Sequence, residues 1–432
     1  MPDPTPTPAR PARTPLKRSV RRLAALSLGT LLAMAALVPP ANAAAPELRA
    51  APGLDRRELQ RTLDEVPKGG IPGAYSAVQD GHQRWRGATG LADLEAKRPT
   101  RPDMYHRIGS ITKTFVATAA LQLVERGRLQ LDAPVERYLP GLLPDRRVTV
   151  RMLLNHTSHI GDYDTALITS PESLEEMRVR QYGNEELVRL GLGVGASGEP
   201  GQSPGSYSNT NYIVLGLVIG KVSGVPAERY ITHHVIERAG LEHTFFPRTS
   251  DLPNPHSNAY TSLFGSFPLR DFSTFNPSSL GTAGAVVSTM EDLNRFYRAL
   301  FTGRLIGRAQ LAEMRRTVPI TLGVGSSDIM NYGLGLIAYD TPCGRLWGHE
   351  GGVVGMATLS LSTEDGTRQA SSGINMTWHP GTEAGELAWA VHVLGAMCET
   401  DRIAASDAPR PLIDAGTPRE APAFIRGRLL RS

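Results

Sequence analysis

The chain has 432 residues, 41% hydrophobic and 20% charged, an ordinary globular composition with enough apolar material for a sizeable core. Residues 1–43 hold six Lys/Arg and one acid, a local charge of +5 that exceeds the +4 of the whole chain. The remainder therefore carries no basic excess, and no Lys/Arg run with interleaved aromatics marks it for nucleic acid.

In chain order, residues 1–43 read as an export leader. A basic segment ends at Arg22, an apolar run spans Leu23–Val38, and Ala41-Asn42-Ala43 forms a small-residue cleavage site. The run is short for a membrane anchor and no stop-transfer pattern follows, so a secreted protein is expected. Arg21-Arg22 leaves twin-arginine export open beside the general route. Asp55–Val66 reads as a helix. Gly73–Gln79 and Gln83–Thr89 flank Asp80-Gly81 as a hairpin. The stretch Ile108–Phe115 opens an amphipathic helix that places Phe115, Ala119 and Leu123 on one face and stops at Gly127.

Further helices are expected at Val148–Asn155, Arg178–Leu192, Asn211–Ser223 and Ala227–Ala239, with Gly193–Ser206 and Asn254–Thr282 as loops. Met290–Leu300 is an amphipathic helix. Tyr332–Tyr339, Arg345–Gly348, Met356–Ser362 and Gln369–Met376 read as strands, with Asp365-Gly366 as a second hairpin turn, and Glu383–Cys398 as the last helix. Strands at both ends around a helical middle imply an α+β fold: an antiparallel sheet built from both chain ends, flanked by helices. The expected division is residues 44–109 with 283–403 as the sheet domain and 110–282 as the helical domain. The site lies at their junction, and residues 404–432 form a weakly ordered tail.

Ser110 stands where a helix cap would stand, which alone means little. Lys113 is the unusual residue. A capping box wants Glu or Gln there, and the first turn of a helix disfavours a cation. It lies one turn from Ser110 on the same face, where the helix dipole and burial both favour the neutral amine that a base for a serine hydroxyl must be. Gly201-Gln-Ser203-Pro-Gly205 formally matches a nucleophile elbow, but sits in a loop rather than between strand and helix. The glycine-rich Gly348–Gly355 lacks both phosphate-loop and dinucleotide patterns, and His349-Glu350 lacks the second histidine of a zinc-protease helix. No metal and no organic cofactor are expected. Cys343 and Cys398 are the only cysteines; in an exported protein two thiols more often pair than stay free.

Two clusters complete the pattern: Tyr207-Ser208-Asn209 before a helix, and His349-Glu350-Gly351-Gly352 at a strand whose glycines admit close backbone approach. Ser-x-x-Lys, Tyr-x-Asn and His-x-Gly in this order resemble the serine β-lactamase and penicillin-binding protein superfamily. The nearest branch is that of class C β-lactamases and secreted D-alanyl-D-alanine carboxypeptidases. The resemblance runs from about Ile71 to Cys398, and the cysteines resemble the single bridge of the carboxypeptidase branch.

It implies an acyl-enzyme on Ser110, with Lys113 as base and Tyr207 as proton relay. Asn209 would bind the substrate amide, and His349 would polarise the Tyr207 side. Backbone N–H groups of Ser110 and Gly352 would form an oxyanion hole. Glu350 and Gly351 are expected in the substrate wall. Leu336-Ile337-Ala338 offers no arginine for a terminal carboxylate, and Glu350 would repel one unless Arg345 or Arg368 compensates. The substrate is thus a peptide, β-lactam, ester or D-amino-acid amide; a silent cell-wall-peptide-binding protein is the competing class. No nucleic acid and no membrane partner are expected after leader cleavage.

Overall fold

The computed structural model describes residues 53–322 and 329–398; the leader and the tail expected at residues 404–432 lie outside them. Ten strands form one sheet: β1 (Gly73–Asp80), β2 (Gln83–Asp93), β3 (Arg98–Pro99), β4 (Gly205–Ser206), β5 (Val318–Thr321), β6 (Ile329–Tyr332), β7 (Ile337–Thr341), β8 (Gly344–Val353), β9 (Met356–Ser362) and β10 (Arg368–Ile374). Their spatial order is β3-β2-β1-β10-β9-β8-β7-β6-β5-β4. The first strand and the last are neighbours, paired antiparallel from Ala74↔Ile374 to Asp80↔Arg368. Both chain ends therefore build the centre of an α+β fold.

The β1–β2 hairpin closes Asp80 on Gln83, and the loop needs Gly81 at φ +56°, where a side chain would be strained. Helices α1 (Arg56–Leu63) and α5 (Glu383–Met397) cover one face of the sheet. Helices α2 (Thr112–Glu125), α3 (Asn209–Ser223) and α4 (Met290–Phe301) belong to the other side. The period-two alternation of a strand divides two cores. Tyr75 and Ala77 of β1 join the helical core, whereas Ala74 and Val78 join the core under α1 and α5. Helix and strand are joined by polar contacts in this packing: Asn294 Nδ2 of α4 donates to the Ala77 carbonyl at 2.9 Å, and His392 Nε2 of α5 lies 2.9 Å from Ser76 Oγ. Cys343, beside the β7–β8 turn, is bridged to Cys398 at the end of α5, with 5.5 Å between Cα atoms.

Four segments differ from the sequence-based expectation. Helix α2 is buried at every position from Thr112 to Leu123 instead of on one face, because it runs through the helical core. Two of its polar side chains bond backbone carbonyls there: Thr114 Oγ1 donates to the Gly335 carbonyl at 2.8 Å, and Gln122 Nε2 to the His234 and Leu305 carbonyls at 2.9 and 3.0 Å. The helix expected at Arg178–Leu192 is two helices, Pro171–Val179 and Asn184–Val194. Between them Arg180 turns extended and Tyr182 N bonds Ser278 Oγ at 2.9 Å.

The strand expected at Tyr332–Tyr339 is the β6–β7 hairpin. Gly335 at φ +71° makes the turn, and a Cβ there would meet Ala117 Cβ of α2 at 2.5 Å. Gly205–Ser206, expected to lie in a loop, is an edge strand pairing parallel with β5, and β5 itself carried no sequence signal strong enough to be expected. Among the described residues no single helix is long and apolar enough to cross a membrane.

Candidate active site

Ser110 sits in a 3₁₀ turn, Gly109–Ile111, that runs directly into α2. It makes no side-chain cap; its hydroxyl instead lies 2.9 Å from Lys113 Nζ. The Lys113 ammonium also donates to Asn209 Oδ1 at 2.7 Å and to the Ala283 carbonyl at 2.9 Å. Three fixed partners in a fully buried setting hold the amine in one place. Burial brings its pKa down to about 7, against the pull of the Asp162 and Asp164 charges. The Ala283 carbonyl is held in turn by helix packing. Gly216 of α3 lies where a Cβ would meet Thr282 Oγ1 at 2.4 Å, and Thr282 Oγ1 donates to the Tyr212 carbonyl at 2.7 Å.

Asn209 opens α3, and its backbone N–H, one of the orphan donors of a helix start, donates to Asp162 Oδ1 at 3.1 Å. Asn209 Nδ2 is shared between Asp162 Oδ2 at 3.1 Å and Asp164 Oδ2 at 2.9 Å. This fixes the amide so that its oxygen faces Lys113. The two carboxylates crowd one another in a poorly solvated place. Burial lifts Asp162 to about 6, and burial with the Asp162 charge lifts Asp164 well above the usual carboxylate range. Sequence reading missed both acids, because Asp162-Tyr-Asp164 carries no motif and is joined to Asn209 only through space.

Tyr207 follows β4, and Lys113 Nζ stands 4.9 Å from its ring centroid. The His156 ring stacks on it at 4.2 Å, inclined by 29°. His156 Nδ1 accepts from Ser208 N at 3.2 Å, so this histidine holds the Tyr207 segment from behind. The Tyr207 hydroxyl is buried without a hydrogen-bond partner; burial raises its pKa well above ordinary, while the nearby Ser110 hydroxyl works the other way.

Strand β8 brings up the last cluster. A Cβ on Gly351 would come within 1.9 Å of the Ile108 carbonyl and 3.0 Å of Ser110 N, and one on Gly109 within 2.8 Å of Gly352 N. The two glycine backbones thus touch, setting Ser110 N beside Gly352, which is open to the cavity. Gly351, expected in the substrate wall, is instead the contact that allows this approach.

His349 does not reach Tyr207. Its Nε2 lies 2.9 Å from Tyr332 Oη, its Nδ1 engages the Glu350 carbonyl, and burial depresses its pKa to about 3. It is a neutral, buried ring packed edge-on against Tyr332, outside the cavity wall. Glu350 corrects a second expectation. It is 2% exposed, absent from the cavity wall and unpartnered at both oxygens, and burial holds its carboxyl up at about 8. At neutral pH its acid form is favoured, and it stands behind the cavity wall instead of in it. Arg345 and Arg368 are engaged with Asp340 at 2.7 Å and Asp80 at 3.9 Å, so neither compensates at the site. Ser203 is exposed in the loop before β4, away from any strand-to-helix turn.

One cavity opens on Ser110, Tyr207, Asn209, Asp162, Asp164 and Gly352. Ser110 and Gly352 line one cavity with the buried Lys113 amine behind Ser110, and on that geometry the chain can be set beside known proteins. Residues 57–366 match the model of the Beta-lactamase family. The chain belongs to that family.

A penicillin-binding protein of Bacillus subtilis (strain 168) is 29% identical over 322 residues, covering 71% of this chain and 68% of its own length. Esterase EstB of Burkholderia gladioli is 35% identical over 211 residues, 44% of this chain and 52% of its own. Among solved structures, a D-stereospecific amidohydrolase from Streptomyces sp. superposes with TM-score 0.70 at 37% identity, covering 78% of this chain and 98% of its own. D-amino acid amidase from Ochrobactrum anthropi SV3 reaches TM-score 0.69 at 26% identity, covering 79% and 97%. The relatives thus span penicillin-binding proteins, an esterase and amidases on one fold. The Beta-lactamase family member described here is a serine hydrolase by that membership.

Proposed function

We propose that this protein is an acyl-serine amidohydrolase acting on amides or short peptides of amino acids whose α-amino group is free, with the D configuration preferred. One observation carries the reading. Among the described residues, the cavity wall holds two acids, Asp162 and Asp164, and no lysine or arginine. A terminal carboxylate, as in a D-alanyl-D-alanine peptide or a β-lactam, would find no cation there. An α-ammonium would find two crowded carboxylates that gain from a positive charge. The similarity to a D-stereospecific amidohydrolase and a D-amino acid amidase supports the amide bond and the hand.

In this mechanism neutral Lys113 takes the Ser110 proton as Oγ attacks the amide carbon. The carbonyl oxygen becomes an oxyanion held by the N–H groups of Ser110 and Gly352. The proton passes through Tyr207 to the departing amine, leaving an acyl-serine ester, and a water then repeats the sequence to free the acid. Residues 1–43, read as a leader, support action outside the cytoplasm.

The test is a panel of D- and L-amino-acid amides, N-acetylated counterparts, a chromogenic cephalosporin and p-nitrophenyl esters, with Ser110→Ala as control. Free D-amides should be turned over and acetylation should suppress turnover at least tenfold. Amide turnover that survives Ser110→Ala, or equal turnover of free and acetylated amides, would sink the proposal.

A further inference from the structure

Three residues at the cavity hold a backbone conformation that bulky side chains avoid: Leu263 at φ +44°, Phe264 at φ +58° and Trp378 at φ +54°. Such strain persists only where surrounding structure over-determines it. Here the two loops that carry them lock each other. Phe264 N donates to the Trp378 carbonyl at 2.6 Å, Thr377 N to the Tyr260 carbonyl at 3.1 Å, and Ser262 Oγ lies 2.8 Å from His379 Nδ1. The Phe264 and Trp378 rings stack at 6.2 Å with 28° between their planes, half-buried and both on the cavity wall.

The pair is also tied to the strand that supplies Gly352. Thr377 Oγ1 accepts from Gly355 N at 2.9 Å and donates to the Val353 carbonyl at 3.3 Å, so the loops and the β8–β9 turn form one unit. Strain, mutual locking and anchorage have a common result: two aromatic rings held at a set place on the wall of the cavity that Gly352 also lines.

We propose that Phe264 and Trp378 form the subsite that selects a planar, apolar side chain on the acyl half of the substrate. The inference rests on the amidohydrolase reading for its choice of substrate. With the carbonyl oxygen between Ser110 and Gly352, the ammonium turns toward Asp162 and Asp164 on the α3 side. The side chain of the same α-carbon is then left to the wall on the β8 side. Assigning both substituents to fixed walls also admits one hand of the α-carbon better than the other.

The experiment compares wild type with Phe264→Ala, Trp378→Ala and Trp378→Phe on two acyl series. One series is alanine and phenylalanine amides of both hands. The other is p-nitrophenyl acetate and phenylacetate, which need no ammonium. Both alanine variants should lower the aromatic-to-small ratio of kcat/KM roughly tenfold or more in each series. They should narrow the D/L ratio for phenylalanine amide, with Trp378→Phe retaining part of the aromatic preference that Trp378→Ala loses; circular-dichroism melts report whether each variant folds. An unchanged ratio in the ester series overturns the subsite. So does a preference that follows the leaving group instead of the acyl group. If the ester ratio falls while wild type cleaves no free amino-acid amide, the subsite stands and the amidohydrolase reading fails.

Discussion

Lys113 and Asp162 set the acidity of the site at the scale of single residues. Catalysis by the neutral amine requires kcat/KM to fall as pH drops through the lysine's pKa of about 7, tenfold for each pH unit below it. A stopped-assay pH profile flat down to pH 5 would exclude Lys113 as the base. The Asp162 charge supports the ammonium form, so Asp162→Asn should move this acid limb to lower pH and raise KM for free amino-acid amides.

Glu350 gives a stability signature. Its folded pKa of about 8 exceeds the ordinary glutamate value of 4.5, so the unfolded chain releases this proton first as pH rises. The folded state therefore loses stability between pH 4.5 and about 8. Glu350→Gln removes that loss: at pH 7 it should stabilise the fold by on the order of 3 kcal/mol, and at pH 4 by almost nothing. Thermal melts of the two proteins across this range test it. Ser110, Lys113, Tyr207 and Asn209 were legible because their spacing carries chemistry. Asp162, Asp164 and His156 were not, because each acts on a motif residue from a distant part of the chain.

At the scale of elements, the decisive contact is between the Ser110 turn and β8. Gly351→Ala would press a methyl against the Ile108 carbonyl, backbone against backbone, and the strand would have to move away from Ser110. The expected result is a fall in kcat of about 10²–10³, the loss typical of a missing oxyanion donor, together with lower stability. Gly352→Ala, whose Cβ would meet nothing within 4 Å, should fold as wild type. Circular-dichroism melts and acylation rates of the pair distinguish these outcomes. The glycines of β8 were read from sequence as an approach route for substrate. In the structure Gly351 serves the approach of the protein's own backbone, a role that depends on which element lies opposite.

At the scale of the molecule, the Cys343–Cys398 bridge joins the β7–β8 turn to the end of α5 and closes a loop of 55 residues in sequence separation. On the chain-entropy account such a loop is worth about 4 kcal/mol. The bridge lies at the opposite end of β8 from Gly352. Reduction, or the Cys343→Ser/Cys398→Ser pair, should lower the melting temperature by several degrees and leave kcat for the acyl series unchanged. A large loss of activity in the folded double variant would contradict this separation of stability from chemistry.

The amino-acid order alone determined the class of fold and pointed to the candidate reacting pair, since strand alternation, hairpin glycines and the Ser110–Lys113 spacing are local properties. Burial and long-range proximity were decided by the tertiary structure. It turned α2 from a surface helix into a core helix and so set the state of Lys113. It left Glu350 and Gly351 out of the cavity wall. It also brought Asp162, Asp164, Phe264 and Trp378 into that wall, the residues on which the proposed selectivity rests. Desolvation and contact across the sheet are properties of the assembled chain, so the candidate serine–lysine pair was legible in the sequence of Ile108–Phe115 and the lining of its cavity was not.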